Sequence, residues 1–466
     1  MDVLCLALYQ LWRCTVNPLK CKAILIGLLF ALATAAPGMA QTIRDVDDGT
    51  TLKQIIIFGR HSIRSSVTDT NTLAQFSTNS YPSFVGVPTG YLTPHGREAE
   101  RLLGSYFHDY MIHEGLLTGN VSTDLSRSYF RANSIQRSNI TATNFGAGLI
   151  PGATIPVHSY ELGTPDPVFD TILADVATTI PGRAEAEVQG IFGSGAAIAS
   201  AYSSEYSLTR NVLFPPSSVD PTTQAVTLVA YTPTPYTGSS INLGGLNVMN
   251  AAIDPFVMQY TDGFPTGDVA WGRLTLDTLS QQTRIIVLQM NIEMLPPYIN
   301  RVQSSNAGSH VLRTMSQAVS GSNLRGAFGD VKSRVHVIIS SDAYVAGLAG
   351  LLGLHWQLPG YQPDYCAPGG ALVFELRQSK RTKGYLVRVF YTSQTFDQLR
   401  NLTPLTLEAP PATMQLTIPG GGSSSTNLDV KFATFKKLLN KAIDQKSVQP
   451  FGKEVPPGVL DNVPLD

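Results

Sequence analysis

A chain of 466 residues that is 43% apolar has material for a large core and for more than one domain. Charged residues are only 14% and the net charge is −1, which removes any general electrostatic case for nucleic acid or an anionic membrane. Glycine (40) and proline (30) are abundant, as suits a loop-rich exported protein, so any anion site must be local.

At the N-terminus, Lys20 and Lys22 precede a 14-residue apolar stretch, Ala23 to Ala36, and then "PGMA" and Gln41. A basic flank, a short apolar core and small residues before a cut form the secretory signal pattern. The expected signal peptide is 1–40, cleaved after Ala40, with export to the periplasm or beyond. The apolar stretch is shorter than the ~20 residues a spanning helix needs; an uncleaved anchor, helped by the apolar start "MDVLCLALYQLW", is the alternative. Cys5, Cys14 and Cys21 fall in this segment, which leaves Cys366 alone and allows no intramolecular disulfide. The 8 histidines are scattered without metal-ligand spacing, so neither a metal nor another cofactor is expected.

"QIIIFG" (54–59) is a continuous β-branched run, the pattern of a strand buried on both faces. It ends in "RHSIR", where Arg60, His61 and Arg64 have no acidic neighbour before Asp69. Residues 93–117 carry apolar side chains at helical spacing after a Thr-Pro start, and 137–152 reads as a second helix. Between 165 and 285 the chain is rich in Ala, Ser, Thr and Pro, with strand patterning only at "AVTLVAY" (225–231). The reading is a mainly helical insertion, 165–285, in an α/β domain formed by 41–164 and 286–466. "VHVIISSD" (335–342) predicts a second buried strand, followed by an apolar helix at 343–356. Residues 370–377 and 384–393 predict a strand pair, and "PGGGSSSTN" (419–427) a surface loop.

In open α/β sheets ligands bind beyond the carboxyl ends of strands. Arg60-His61 stands at one such end and Ser341-Asp342 at another. Cleaving a phosphate monoester needs cations for the non-bridging oxygens, a nucleophile in line with the leaving oxygen, and an acid for the departing alkoxide. Arginine grips oxyanions with paired hydrogen bonds, and a neutral imidazole can attack phosphorus. Arg60, Arg64, His61 and Asp342 cover that list without a metal. The plainer reading of "RHSIR" is a solvated basic turn. His95, His108, His113, His310, His336 and His355 read as packing or surface residues, Cys366 as an ordinary loop thiol and Trp271 as a core anchor.

"RHSIRSS" resembles the histidine acid phosphatase family, whose hallmark is Arg-His-Gly-x-Arg-x-Pro. The resemblance continues in order. "LTPHGREAERLLGSYF" (92–107) is similar to the family's Leu-Thr-Pro-x-Gly helix start, and "RSNITATNFGAGL" (137–149) to the segment carrying a further phosphate-binding arginine, here Arg137. "TPDPVFD" (164–170), residues 353–376 and residues 394–407 are similar to the bacterial periplasmic phytase and glucose-1-phosphatase branch. The resemblance implies a central mixed, mostly parallel sheet flanked by helices, a phosphohistidine on His61, and Asp342 as proton donor. Arg60, Arg64 and Arg137 would hold the phosphate.

The departures lie in the site. Ser62 and Ser66 replace the family's glycine and proline, and the His-Asp pair reads Ser341-Asp342, followed by Ala343-Tyr344. Ser341 still offers a hydroxyl to phosphate, but loss of one charge-assisted contact costs ~1–3 kcal/mol, roughly 5- to 150-fold. One reading is therefore an exported acid phosphatase acting on phytate, sugar phosphates or a broad set of small monoesters, without nucleic acid or membrane partners. The other is a phosphoester-binding protein of the same fold with weakened or no turnover. A structural or adhesive exported protein would need the arginines to be incidental.

Overall fold

The isoleucine run at 54–59 becomes the centre of an eight-stranded mixed sheet. A computed structural model describes residues 47–449, apart from 181, 228, 231–240 and 425–426. The expected signal peptide lies outside these residues. In chain order the strands are β1 (Thr50–Arg60), β2 (Ser128–Ala132), β3 (Val157–His158), β4 (Val335–Ser340), β5 (Ala371–Ser379), β6 (Tyr385–Ser393), β7 (Ala412–Gln415) and β8 (Val430–Lys431). Their spatial order is β8–β6–β5–β1–β4–β2–β3, with β7 also pairing β6. The half from β1 to β3 is parallel, and β5 to β8 continue it antiparallel.

Side chains alternate across β1, as the strand period requires. Ile55 and Ile57 enter one core with Leu103, Phe107 and Phe145, whereas Ile56 and Phe58 enter the other with Phe169, Ile338 and Val345. The first core lies under helices α1 (Pro94–His113) and α2 (Gln136–Leu149). The second lies under α3 (Gly245–Thr261), α4 (Leu276–Met294), α5 (Pro297–Ser320) and α6 (Asp342–Leu352). Covering both faces explains why β1 reads as an uninterrupted apolar run.

Some expectations are adjusted. Helix α1 stops at His113 rather than near 117, because Gly115 takes φ 72 and Leu116 N–H turns back to the Met111 carbonyl at 2.8 Å. Of "AVTLVAY", the described residues show strand only at Val229–Ala230, paired with Ile241–Asn242. The same region contributes the helices Arg183–Phe192, Gly195–Ala201 and Ser203–Leu213 besides α3. His336 is the expected core histidine: it is fully buried, with ring nitrogens 3.4 Å from the Ile55 carbonyl and 3.1 Å from that of Phe328. Cys366 is more than a loop thiol, being fully buried beside Arg60.

The loop after β1 is held from several sides. His61 N–H donates to the Ser340 carbonyl at 2.8 Å, Gly369 N–H to the His61 carbonyl at 3.2 Å, and Thr93 N–H to the Ile63 carbonyl at 3.0 Å. Thr93 also caps α1, accepting from Gly96 N–H at 2.8 Å. Gly96 lies so close to the loop that an added Cβ would stand 2.3 Å from the Ile63 carbonyl oxygen. Gly96→Ala must therefore push α1 away from the loop after β1. The expected loss is at least about 1–3 kcal/mol in urea unfolding; unchanged stability would show that the loop gives way freely.

Candidate active site

Strand β1 delivers Arg60 as its last residue and His61 immediately after it, beyond the carboxyl end of the sheet. Strand β4 ends beside it and passes through Ser341 into α6, whose first residue is Asp342. Helix α2 contributes Arg137 from its first turn. The structure thus brings His61 together with Arg60, Arg64 and Arg137, and sets Asp342 against Arg60 and within electrostatic reach of Arg137.

His61 is 2% exposed, and its Nδ1 lies 2.9 Å from the Ser62 carbonyl oxygen. A carbonyl only accepts, so Nδ1 carries the proton and the neutral ring keeps its lone pair at Nε2. Burial pushes the imidazole well below its ordinary pKa, and Arg137, Arg60 and Arg64 push it further. The imidazole is therefore held neutral by desolvation and by the three cations around it.

The local sequence shows no acid near "RHSIR", yet two of its cations are paired across the fold. Arg60 Nη2 lies 3.2 Å from Asp342 Oδ2, while its Nη1 donates to the Cys366 carbonyl. Burial works against the Arg60 charge; Asp342, then Tyr365 and Asp254, outweigh it and raise the guanidinium above its ordinary value. Arg64 makes two parallel bonds to Asp254, at 2.9 and 3.0 Å. The partners are 282 and 190 residues away along the chain, which is why the cluster reads as unpaired in sequence.

Arg137 has no carboxylate partner of this kind. Its Nη1 donates to the Gly90 carbonyl at 3.3 Å, and its buried Nε lacks a hydrogen-bond partner. Burial, followed by repulsion from Arg64, lowers it to about 10, still charged in acid. Ser341 stands at the N-cap position of α6, where its side chain makes no capping bond. Asp342 Oδ1 accepts instead from the next N–H, that of Ala343, at 3.0 Å. Asp342 is about one-fifth exposed, which leaves it open to solvent on one side.

Sequence reasoning passed over Asp254. It sits in the apolar helix α3, "GLNVMNAAIDPFVMQYT", where a single acid among buried residues requires a partner. That isolation was the available signal. Among the described residues no group of His, Cys, Asp and Glu could hold a metal ion, and no helix is long and apolar enough to cross a membrane.

A neutral histidine ringed by guanidiniums at the edge of an α/β sheet is an arrangement suited to meeting an oxyanion. No family model matches the chain. Curated relatives do. It is 26% identical to phytase AppA of Escherichia coli (strain K12), over 90% of this chain and 98% of that one. It is also 26% identical to a glucose-1-phosphatase of Providencia rettgeri, over 92% and 100%. Among solved structures, the Hafnia alvei phytase in complex with tartrate superposes with a TM-score of 0.78 at 25% identity, covering 87% of this chain and all of that one. The chain's relatives and structural neighbours are thus bacterial phytases and glucose-1-phosphatases, enzymes of the histidine acid phosphatase family.

Buried titratable groups near the site shape stability. Burial lifts Glu293 on α4 to about 8, against an ordinary 4.5, with Asp342 adding to the effect. The folded state keeps a proton that the unfolded chain releases, so this contribution is full below about 4.5 and is lost as pH rises toward 8. His336, lowered by burial to about 4 from 6.5, acts oppositely, and its contribution is lost as pH falls below 6.5. The combined contribution of these two groups therefore peaks between about 4.5 and 6.5. Glu293→Gln should flatten the decline above that peak, by a few kcal/mol in unfolding free energy between mildly acid and mildly alkaline pH. Parallel melting-temperature curves for the two proteins would contradict this.

Proposed function

We propose that this chain is an exported acid phosphatase that hydrolyses phosphate monoesters through a phosphohistidine on His61. The observation that carries this reading is the buried, neutral imidazole with Nδ1–H committed to the Ser62 carbonyl and three arginines around it. Such a ring has one free lone pair and one reason to meet an anion.

Arg60, Arg64 and Arg137 take the non-bridging oxygens, exchanging carboxylate contacts for phosphate contacts. His61 Nε2 attacks phosphorus, forming a P–N bond as the ester P–O bond breaks. Asp342 donates its proton to the departing alkoxide. Water then attacks the phosphohistidine, Asp342 takes up the proton that water gives, and the P–N bond breaks to free phosphate. Ser341 offers a shorter, neutral donor beside Asp342. Segment 165–285 acts as a cap on the α/β domain of 41–164 and 286–466, a division supported by Asp254 reaching Arg64 from within it. Residues 1–40 act as the signal for export to the periplasm or beyond and are removed.

The substrate class is small phosphate monoesters, with phytate and sugar phosphates both candidates because relatives of each name align over nearly their whole length. The second reading, phosphoester binding without turnover, draws on Ser341 and on the two carboxylates that already occupy Arg60 and Arg64.

Phosphate release from p-nitrophenyl phosphate, glucose-1-phosphate and phytate, followed from about pH 3 to about pH 7, separates the two. The expected rate is highest in acid, because His61 stays neutral there while Asp342 must carry a proton when the leaving group departs. It should fall toward neutral pH and vanish in His61→Ala. Bound phosphate with no release above that control would favour the second reading.

A further inference from the structure

Tyr365 lies in the segment between α6 and β5, where the surrounding hydrogen bonds are closed. Asp364 takes φ 59, its N–H donates to the Trp356 carbonyl at 2.8 Å, and its Oδ1 accepts from Trp356 N–H at 2.9 Å. Trp356 Nε1 donates to the Tyr365 carbonyl at 3.1 Å. This pinned turn sends the Tyr365 ring inward, where it is 2% exposed and packs on Tyr361 with centroids 5.6 Å apart. The hydroxyl of Tyr361 donates to the Gln394 carbonyl at 2.7 Å. The hydroxyl of Tyr365 is equally buried; the Arg60 guanidinium, a donor only, lies against its oxygen, and its own proton meets no acceptor.

A buried phenolic proton without an acceptor forfeits about 1–3 kcal/mol, so its retention needs a reason. Its surroundings supply one. The charged groups acting on it are Arg60, Asp254 and Asp342, from the end of β1, from α3 and from the start of α6. The same three groups also act on Arg137. Arg60 also donates to the carbonyl of Cys366, the next residue. Burial lifts the phenol to about 12, so it carries its proton throughout the acid range.

We propose that the Tyr365 hydroxyl is a further phosphate-binding group, donating to a phosphoryl oxygen gripped by Arg60. The proposal rests on the anion site read above but not on turnover. A phenolic O–H is a neutral donor, so it strengthens the grip on phosphate without adding a fourth cation to three that already repel one another. It also gives the site a long-reaching donor where Ser341 is short.

The test is calorimetric titration of the whole chain with inorganic phosphate at mildly acid pH. Tyr365→Phe keeps the ring packing and removes the hydroxyl alone. Phosphate should then bind about 10- to 100-fold more weakly, with an unchanged melting temperature. Phosphate affinity within about twofold of the parent would overturn the proposal, as would a parent chain that binds no phosphate. A parent that binds phosphate tightly but releases none from esters removes the phosphatase reading and leaves this one intact. Should Tyr365→Phe lose cooperative unfolding, the ultraviolet tyrosine difference spectrum of the parent decides. A phosphate-induced shift supports the contact, and its absence rejects it.

Discussion

Three guanidinium groups gathered around one dry imidazole repel one another, and much of the site's architecture follows from how that repulsion is contained. Two like charges ~4 Å apart at a protein-like effective dielectric cost on the order of 4 kcal/mol. Arg60 and Arg64 are therefore each given a carboxylate, Asp342 and Asp254, delivered by two different helices. Arg137 keeps only a backbone contact and is depressed instead. The empty site is thus partly neutralised, and an incoming phosphate takes over work already being done by carboxylates.

That arrangement ties fold to chemistry. Helix α6 must start where β4 ends so that Asp342 meets Arg60, and α3 must cross the mouth of the site so that Asp254 meets Arg64. Helix α1 packs so closely on the loop behind His61 that only glycine fits at position 96. The histidine's neutrality has the same origin as the arginines' strain. Burial and positive neighbours both disfavour imidazolium, so the proposed nucleophile keeps its lone pair in acid.

Much of this was legible in the sequence because it is local. The β-branched run of β1, the Thr-Pro start of α1 and the strand-to-helix switch at Ser341-Asp342 follow from period and capping chemistry alone. Arg60, His61, Arg64, Arg137, Ser341 and Asp342 were all named from motif order, and the fold places them at the ends of neighbouring elements. What the sequence did not reveal is pairing over long separations. The cations after β1 looked unpaired because Asp254 and Asp342 lie far along the chain. Tyr365 was hidden for another reason: "DYCAPGG" reads as a loop, and nothing local says that the left-handed turn at Asp364 aims the next ring into the core.

The central claim is that His61 is the atom-bearing nucleophile and not one more phosphate contact. Its most direct test is to mix the chain with a rapidly cleaved monoester at acid pH, quench into alkaline denaturant within the first turnover, and map the modified residue by peptide mass spectrometry. A phosphoryl group on the peptide carrying His61, absent from His61→Ala, is the predicted result. Product release with no phosphorylated His61 at any quench time would contradict it and point to direct attack by water.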